Sequence, residues 1–456
     1  MSGRGPAGSI LECVGSTPLV ELKRLGSDTG ARFLVKVEAQ NPGGSVKDRI
    51  AMAMVTDAER EGRLRPGGTI IEATAGNTGV GLALVAAVRG YRCIFVLPDK
   101  MSREKIALLE AYGAETVIVP TSVAPDSPHS YNSVADRLAR EIPGAFRPSQ
   151  FSNPSNPDVH YRTTGPEIWE ATGGKLDAFV AGAGTGGTIS GVGRFLKEKN
   201  PAIRVVLADP EGSILSGDAP RSYKVEGIGE DFIPATFDRQ AVDDFVRVPD
   251  RESFRIARRL AREEGILSGG SSGTALAGAL RYAERLPRGA TLVVLLPDTG
   301  RNYLSKMYSD DWLREQGLLD GPSPARKATL ADLLARKAGG GVVLAIDAGR
   351  PIRDAIRMMK ECEVSQLPVT ADGRVVGQVD EVSLLQALNR GGQPGSTSVR
   401  DAMGLAPPAL EPGVSVEEAF RVLLSGHSGI LVAENGEPRG FVTRIDLVRF
   451  WAEAGT

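Results

Sequence analysis

The sequence predicts an α/β protein of at least two domains, and three observations predict it. From Phe33 to about Asp298, short β-branched or apolar runs alternate with helical stretches, the pattern of an open, mostly parallel sheet covered by helices. After Trp312 the composition changes, and Gly317 to Lys327 contains Gly321-Pro322-Ser323-Pro324, which has linker composition. Beyond it the chain repeats itself: Asp372-Gly373-Arg374-Val375-Val376-Gly377-Gln378-Val379 returns 63 residues later as Asn435-Gly436-Glu437-Pro438-Arg439-Gly440-Phe441-Val442. At 456 residues the chain is also too long for one ordinary core.

The candidate strands, in order, are Phe33–Val37, Thr69–Glu72, Cys93–Leu97, Thr116–Val119, Ala178–Ala181, Val205–Ala208 and Leu292–Leu296. Several end in glycine-rich or polar turns, and in open α/β sheets ligands lie beyond the carboxyl ends of the strands. Before each copy of the repeat runs an amphipathic helix, around Ile352–Met359 and Val416–Leu424, then a short apolar strand. Two such units make a compact pair. The expected layout is a catalytic domain over 1–315, a linker over 316–328 and a duplicated domain over 329–456, with repeats at about 335–390 and 398–452.

Bulk properties narrow the class of function. A formal net charge of -2 and the absence of a basic cluster with interleaved aromatics argue against nucleic acid and anionic membranes, leaving a small-molecule substrate. Cys13, Cys93 and Cys362 lie far apart with no CxxC, which points to a reducing compartment and a packing role. Met1 to Ser9 holds no signal-like apolar run and no segment reaches transmembrane length, so the chain reads as cytoplasmic. His129, His160 and His427 are too scattered for a metal site and read as structural or surface residues.

Four turns carry chemistry. In Asn41-Pro42-Gly43-Gly44-Ser45-Val46-Lys47-Asp48-Arg49 the proline and glycines break a strand, Ser45 can cap a helix, and Lys47 falls in its first turn. The helix dipole and partial burial both disfavour an ammonium there, and a lysine so depressed can form an imine. A lone lysine is ordinarily a solvated surface residue; the other turns argue otherwise. Glu72-Ala73-Thr74-Ala75-Gly76-Asn77-Thr78-Gly79 opens a helix over Val80–Val88, where successive N–H groups suit a carboxylate and the Asn77 amide suits a ring hydroxyl. Gly182-Ala183-Gly184-Thr185-Gly186-Gly187-Thr188 opens a helix running to about Lys199 and suits a phosphate. Ser268-Gly269-Gly270-Ser271-Ser272-Gly273 opens another, where Ser271 can serve a heterocyclic nitrogen or simply cap the helix. A rival reading exists, because Gly182, Gly184 and Gly187 with Asp209 at the end of the next strand satisfy the dinucleotide pattern of an NAD-dependent enzyme. That reading leaves the Lys47, Asn77 and Ser271 turns without a task. A lysine for an imine, an amide for a hydroxyl, a glycine nest for a phosphate and a hydroxyl for a ring nitrogen together outline pyridoxal phosphate.

With these residues the chain resembles the cysteine synthase/cystathionine β-synthase family of fold type II pyridoxal-phosphate enzymes. The resemblance implies that Ser45-Val46-Lys47-Asp48-Arg49 is the cofactor-lysine segment, that Thr74, Ala75, Gly76, Asn77 and Thr78 serve the substrate carboxylate and cofactor hydroxyl, and that Gly184, Thr185, Gly186, Gly187 and Thr188 hold the phosphate. It places Ser271 at the pyridine nitrogen, which a neutral serine leaves unprotonated, and adds Gln150 and Gly227 to the substrate side. Lys224-Val225-Glu226-Gly227-Ile228-Gly229, Asp231-Phe232-Ile233-Pro234 and Leu296-Pro297-Asp298 with Arg301-Asn302-Tyr303-Leu304-Ser305-Lys306 resemble the branch that condenses L-serine with L-homocysteine more than the O-acetylserine sulfhydrylases. The duplicated tail resembles a tandem CBS (Bateman) module, which occurs on many unrelated proteins.

The resemblance therefore implies β-replacement on L-serine by L-homocysteine, with cysteine synthesis from O-acetylserine, H2S production or adenosyl-metabolite sensing as the competing readings. Ala75, where many relatives have serine, and Phe151 after Gln150, where some have tyrosine, bear on the second substrate. Some relatives carry haem on an N-terminal extension with a Cys and a His ligand; here Cys13 adjoins the core and no histidine precedes His129, so no haem is expected. In the tail, Thr443-Arg444-Ile445-Asp446 resembles a ribose-gripping segment, and the first copy has Asp380 and Ser383 there. The resemblance implies one competent adenosyl site at Thr443 and Asp446, with S-adenosylmethionine favoured and AMP or ATP as alternatives. This fold usually dimerises, so a homodimer or homotetramer is expected.

Overall fold

A computed structural model describes residues 6–74, 76–99, 101, 103–120, 123, 127–319, 328–337, 343–362 and 364–454. Ala75 and most of the expected linker lie outside the described residues. The chain divides into two compact units, 1–320 and 321–456. No described helix is long and apolar enough to cross a membrane.

The first unit contains two sheets. Its strands are β1 (Leu19–Glu21), β2 (Arg32–Val37), β3 (Thr69–Glu72), β4 (Arg92–Pro98), β5 (Glu115–Val119), β6 (Ala145–Phe146), β7 (Ala178–Ala181), β8 (Arg204–Pro210), β9 (Asp244–Val248) and β10 (Thr291–Leu296). The larger sheet has the order β1-β2-β10-β7-β8-β9, parallel except for β1, and the smaller has the all-parallel order β5-β4-β3-β6. Alternate residues of β8 explain why the strands read as unbroken apolar runs. Val206 and Ala208 pack into one core with Leu276 and Ala279, while Val205 and Leu207 pack into another with Ile189 and Val192. Both faces are covered, as parallel sheets require. The smaller sheet does the same: Ile70 and Phe95 meet Met54 and Leu82 on one face, and Ile71 and Val96 meet Val134 on the other.

The second unit contains two three-stranded sheets, one per repeat. Asp372 and Asn435 adopt φ values of 49° and 53°, followed by Gly373 at 75° and Gly436 at 84°. Two successive left-handed residues make the tight hairpin turn that Asp-Gly and Asn-Gly favour. The hairpins Gln366–Ala371 with Arg374–Asp380 and Gly429–Glu434 with Glu437–Thr443 even carry their register irregularities at matching positions, Val369/Thr370 and Val432/Ala433. The cysteines correct one expectation: Cys93 is buried in the core, but Cys13 and Cys362 are exposed.

Under the start of the helix Lys47–Arg60 lies a buried ion network. Arg49, 2% exposed, donates to both carboxylate oxygens of Glu38 at 2.7 and 2.9 Å and to Glu167 at 2.7 and 2.8 Å. Lys36 reaches Glu167 at 2.6 Å, and the Thr17 hydroxyl donates to Glu38 at 2.6 Å. Removing one partner of such a set leaves an uncompensated charge in the interior. Arg49→Met is therefore expected to destabilise the first unit by about 3–5 kcal/mol, read as a lowered urea midpoint, with Glu38→Gln/Arg49→Met recovering part of the loss. An unchanged midpoint in the single variant would show that the network does not hold the helix.

Candidate active site

The four turns expected from the sequence converge. Lys47, Thr74, Gly76, Asn77, Thr78, Gln150, Gly184, Thr185, Gly186, Thr188, Gly227 and Ser271 line one cavity of 340 Å3. The Lys47, Gly184 and Thr74 turns lie beyond the carboxyl ends of β2, β7 and β3, where ligands of parallel sheets lie; Pro297 and Asp298 extend β10, and Ser271 comes from the start of the helix Gly270–Ala283.

Lys47 is the first residue of its helix, and its N–H is accepted by the Ser45 hydroxyl at 3.2 Å. The turn is sewn to the end of β10: Val46 N–H donates to the Pro297 carbonyl at 2.8 Å and Thr299 N–H to the Gly44 carbonyl at 3.1 Å. Asp48 closes it from the other side by accepting from Gly43 N–H. No hydrogen bond or ion pair involves the Lys47 amine among the described residues. Burial lowers its pKa to about 8, against the opposing pull of the Glu230 and Asp298 carboxylates.

Asn77 starts the next helix, and its amide donates to Asp298 at 2.8 Å. Asp298 is almost fully buried and also accepts from the Tyr303 hydroxyl at 2.7 Å, so burial raises its carboxyl above the usual range while two donors hold it in place. One Asn77 N–H is thus fixed, which leaves the other and the amide oxygen as its remaining hydrogen-bonding groups. Thr78 donates to the Gln150 amide oxygen at 2.6 Å, tying two expected substrate residues together.

The glycine turn is shaped by its neighbours. Gly186 has φ 77°, and a Cβ at Gly187 would collide with the Asn156 amide. Gly187 therefore does not line the cavity; it lets Asn156 donate to the Thr185 hydroxyl at 2.9 Å. Thr188 meets His160 Nε2 at 3.2 Å, and His160 Nδ1 meets Thr164 at 2.9 Å. Burial, with Arg49 and Lys47 nearby, pushes the His160 pKa well down, so its ring is neutral. Asp209, the acid of the dinucleotide reading, lines no part of the cavity and instead accepts from Ser216 N–H at 3.0 Å. Asp298, Glu230, Tyr223 and Asn156 are site residues not singled out in the sequence, where Asp298 alone had a signal, inside the quoted Leu296-Pro297-Asp298 segment; His160, expected to be structural or on the surface, is buried and structural.

Thr443 and Asp446 sit together at a helix start. Asp446 accepts from the Thr443 N–H and hydroxyl, each at 2.8 Å, and pairs with Lys337 at 2.8 Å. Thr329 and Asp332 form the same arrangement within a capping box, whereas in the first repeat the roles are exchanged, Asp380 N–H donating to the Ser383 hydroxyl and Ser383 N–H to the Asp380 carboxylate.

The donor set fits pyridoxal phosphate. A lysine amine without a protein partner, a glycine-lined helix start for a phosphate, an anchored amide and the Ser271 hydroxyl border one cavity. Comparison with known proteins agrees. Residues 10–298 match the pyridoxal-phosphate dependent enzyme family, and 342–390 and 399–453 match the CBS domain. Cystathionine beta-synthase of Dictyostelium discoideum is 40% identical over 97% of this chain and 92% of its own length. Cysteine synthase of Staphylococcus aureus strain Mu50 is 47% identical over 67% of this chain and 98% of its own. The crystal structure of O-ureido-L-serine synthase superposes with a TM-score of 0.64 and 42% identity, covering 68% of this chain and all of that one. The NAD reading falls with this match, and the chain belongs to the cystathionine β-synthase family of pyridoxal-phosphate-dependent enzymes, a lyase with a C-terminal pair of CBS domains.

Proposed function

We propose that this lyase condenses L-serine with L-homocysteine to L-cystathionine and water. The supporting observation is extent: the relative of that name aligns along 97% of this chain, both units included, whereas the cysteine synthase aligns with 67%. A cysteine synthase that aligns with 67% of this chain at 47% identity supports O-acetylserine and sulfide as the second reading.

Bound in the cavity, pyridoxal phosphate supplies an electron sink to the α-carbon of an amino acid. Lys47 would hold it, with Gly184, Thr185, Gly186 and Thr188 around its phosphate, Asn77 at its ring hydroxyl and Ser271 at its ring nitrogen. The substrate carboxylate rests on the turn Thr74, Ala75, Gly76 and Thr78, braced by Gln150, with Gly227 across the cavity. Because burial lowers the Lys47 pKa, its Nζ has a substantial neutral fraction near neutral pH and can take the α-proton, then return it once the Cβ–S bond has formed. The Cβ–O bond breaks before the thiol enters, the oxygen leaves as water with a proton taken from the medium, and the thiol gives an equal proton back to the medium when its sulfur bonds to Cβ. Asp298 acts through Asn77 and is a positioning residue.

In the tail, a CBS match over 399–453 supports an adenosyl ligand at Thr443 and Asp446, S-adenosylmethionine before AMP or ATP. Its ribose hydroxyls would have to replace Lys337 and the Thr443 hydroxyl on the Asp446 carboxylate.

Product analysis by mass spectrometry, with L-serine or O-acetylserine offered against homocysteine or sulfide, is expected to show the highest kcat/KM for L-serine with homocysteine. Faster conversion of O-acetylserine with sulfide would favour the second reading. Lys47→Ala is expected to lower turnover by about 10^2–10^4-fold without moving the urea midpoint, and near-normal turnover would remove Lys47 from its role. Uptake of pyridoxal phosphate by the apo-protein, followed by absorbance, should accelerate with pH only until the Lys47 amine is neutral at about 8; acceleration continuing to about pH 10, as for an ordinary lysine, would contradict the burial argument. Calorimetry of the full chain with S-adenosylmethionine should show binding that Asp446→Ala abolishes, and equal binding by both proteins would move the ligand elsewhere.

A further inference from the structure

A second cavity, of 420 Å3, abuts the first, and Gln150, Phe151 and Glu230 line both. Its wall includes the rings of Phe151 and Phe232, with centroids 5.3 Å apart and planes tilted by 55°. Phe232 is 44% exposed, a large apolar side chain left open at the rim.

The charges lining this second cavity do not cancel. Glu72 is consumed by the N–H groups of Ala73 at 3.0 Å and Ser149 at 2.6 Å, and Arg147 is held by Asp136, by the Asn132 amide oxygen at 3.0 Å and by Glu72. The side chains of Glu230 and Asp231 make no hydrogen bond or ion pair among the described residues. Glu230 is half-buried, and burial with the neighbouring Asp231 raises its pKa to about 7 against the pull of Lys47. Two unpartnered carboxylates at the junction of the cavities, beside an aromatic wall, form a receptor for an ammonium on a short apolar chain.

We propose that Glu230, assisted by Asp231, binds the α-ammonium of the amino-acid thiol that enters second, while Phe151 and Phe232 cover its methylene groups. The proposal rests on the β-replacement reading and specifies its second substrate as an aminothiol. In homocysteine the sulfur lies four bonds from the ammonium, a reach of about 5 Å, so an ammonium held at the junction presents its sulfur to the cavity that contains Lys47. Sulfide has no group for Glu230 to hold, and leaving a built polar partner unpaired is an effective way to discriminate.

The test compares the holoenzyme and its Glu230→Gln variant on homocysteine and cysteamine, which carry an ammonium, and on 2-mercaptoethanol and 3-mercaptopropionate, which do not. The kcat/KM for the ammonium thiols relative to 2-mercaptoethanol is expected to fall tenfold or more in the variant, through KM, with the cofactor absorbance retained. Glu230→Asp, which keeps the charge, should hold that ratio within about threefold of the parent and covers the case in which the glutamine variant fails to fold. A ratio unchanged within twofold, or an equal loss on all four thiols, overturns the proposal, as does a parent enzyme that accepts sulfide alone. If L-serine gives no product and O-acetylserine does, the serine reading fails while the same ratio, measured with O-acetylserine, still decides the role of Glu230.

Discussion

The catalytic unit depends on holding one helix start against the end of one strand. The backbone of Gly44 to Val46 is bonded to Pro297 and Thr299 at the end of β10, and Arg49 one turn later is clamped by Glu38 and Glu167. The first pairing sets where the Lys47 turn lies and the second sets the direction of its helix. Charged groups this deep are costly unless fully paired, so the network specifies a single arrangement rather than adding much net stability. The helix of Asn77 packs directly on that of Lys47, where a Cβ at Gly81 would sit 3.1 Å from the Lys47 carbonyl. Displacing the first helix would displace the second, and with it two of the four walls of the cavity.

Within the cavity the electrostatics are a contest between burial and carboxylates. Burial drives Lys47 toward its neutral form, while Glu230 and Asp298 pull it back toward the cation. The two acids are themselves pushed up by burial, which weakens that pull. Their situations differ in a way that assigns different work. Asp298 is tied to Asn77 and Tyr303 and orients an amide; the Glu230 side chain has no hydrogen bond or ion pair among the described residues. His160, neutral between Thr164 and Thr188, braces the glycine turn without adding charge beside a phosphate site.

Much of this architecture was legible in the sequence because it rests on local chemistry. The seven apolar runs read as strands all form strands: six are buried on both faces and signal themselves by composition, and the seventh, in β5, is a partly exposed edge strand betrayed by its β-branched residues. β1, β6 and β9 escaped: the first two are only three and two residues long, and Asp244–Val248 is an edge strand whose polar alternation resembles a loop. Asp372-Gly373 and Asn435-Gly436, which open the two copies of the repeat, make the hairpin turns of the tail, because few other pairs adopt two left-handed conformations in succession. The glycine turns gave the outline of the cavity, but Gly187 serves Asn156 rather than the cavity surface, a distinction that only tertiary contact reveals. Glu230 lay just after a quoted segment and drew no notice, because an unpaired carboxylate is recognised by the partners it lacks. The segment from Thr443 to Asp446 shows the limit most plainly, since Thr329 and Asp332 share its pattern and its geometry as a helix cap.

The central claim is that the cavity around Lys47 holds pyridoxal phosphate and carries out β-replacement in two ordered halves, amino acid first and thiol second. The direct measurement is the visible absorption spectrum of the purified protein, recorded alone, after L-serine and after subsequent homocysteine. The account predicts a visible band that shifts with L-serine and returns to its first position with homocysteine. A colourless protein that gains no such band when supplied with pyridoxal phosphate would contradict it.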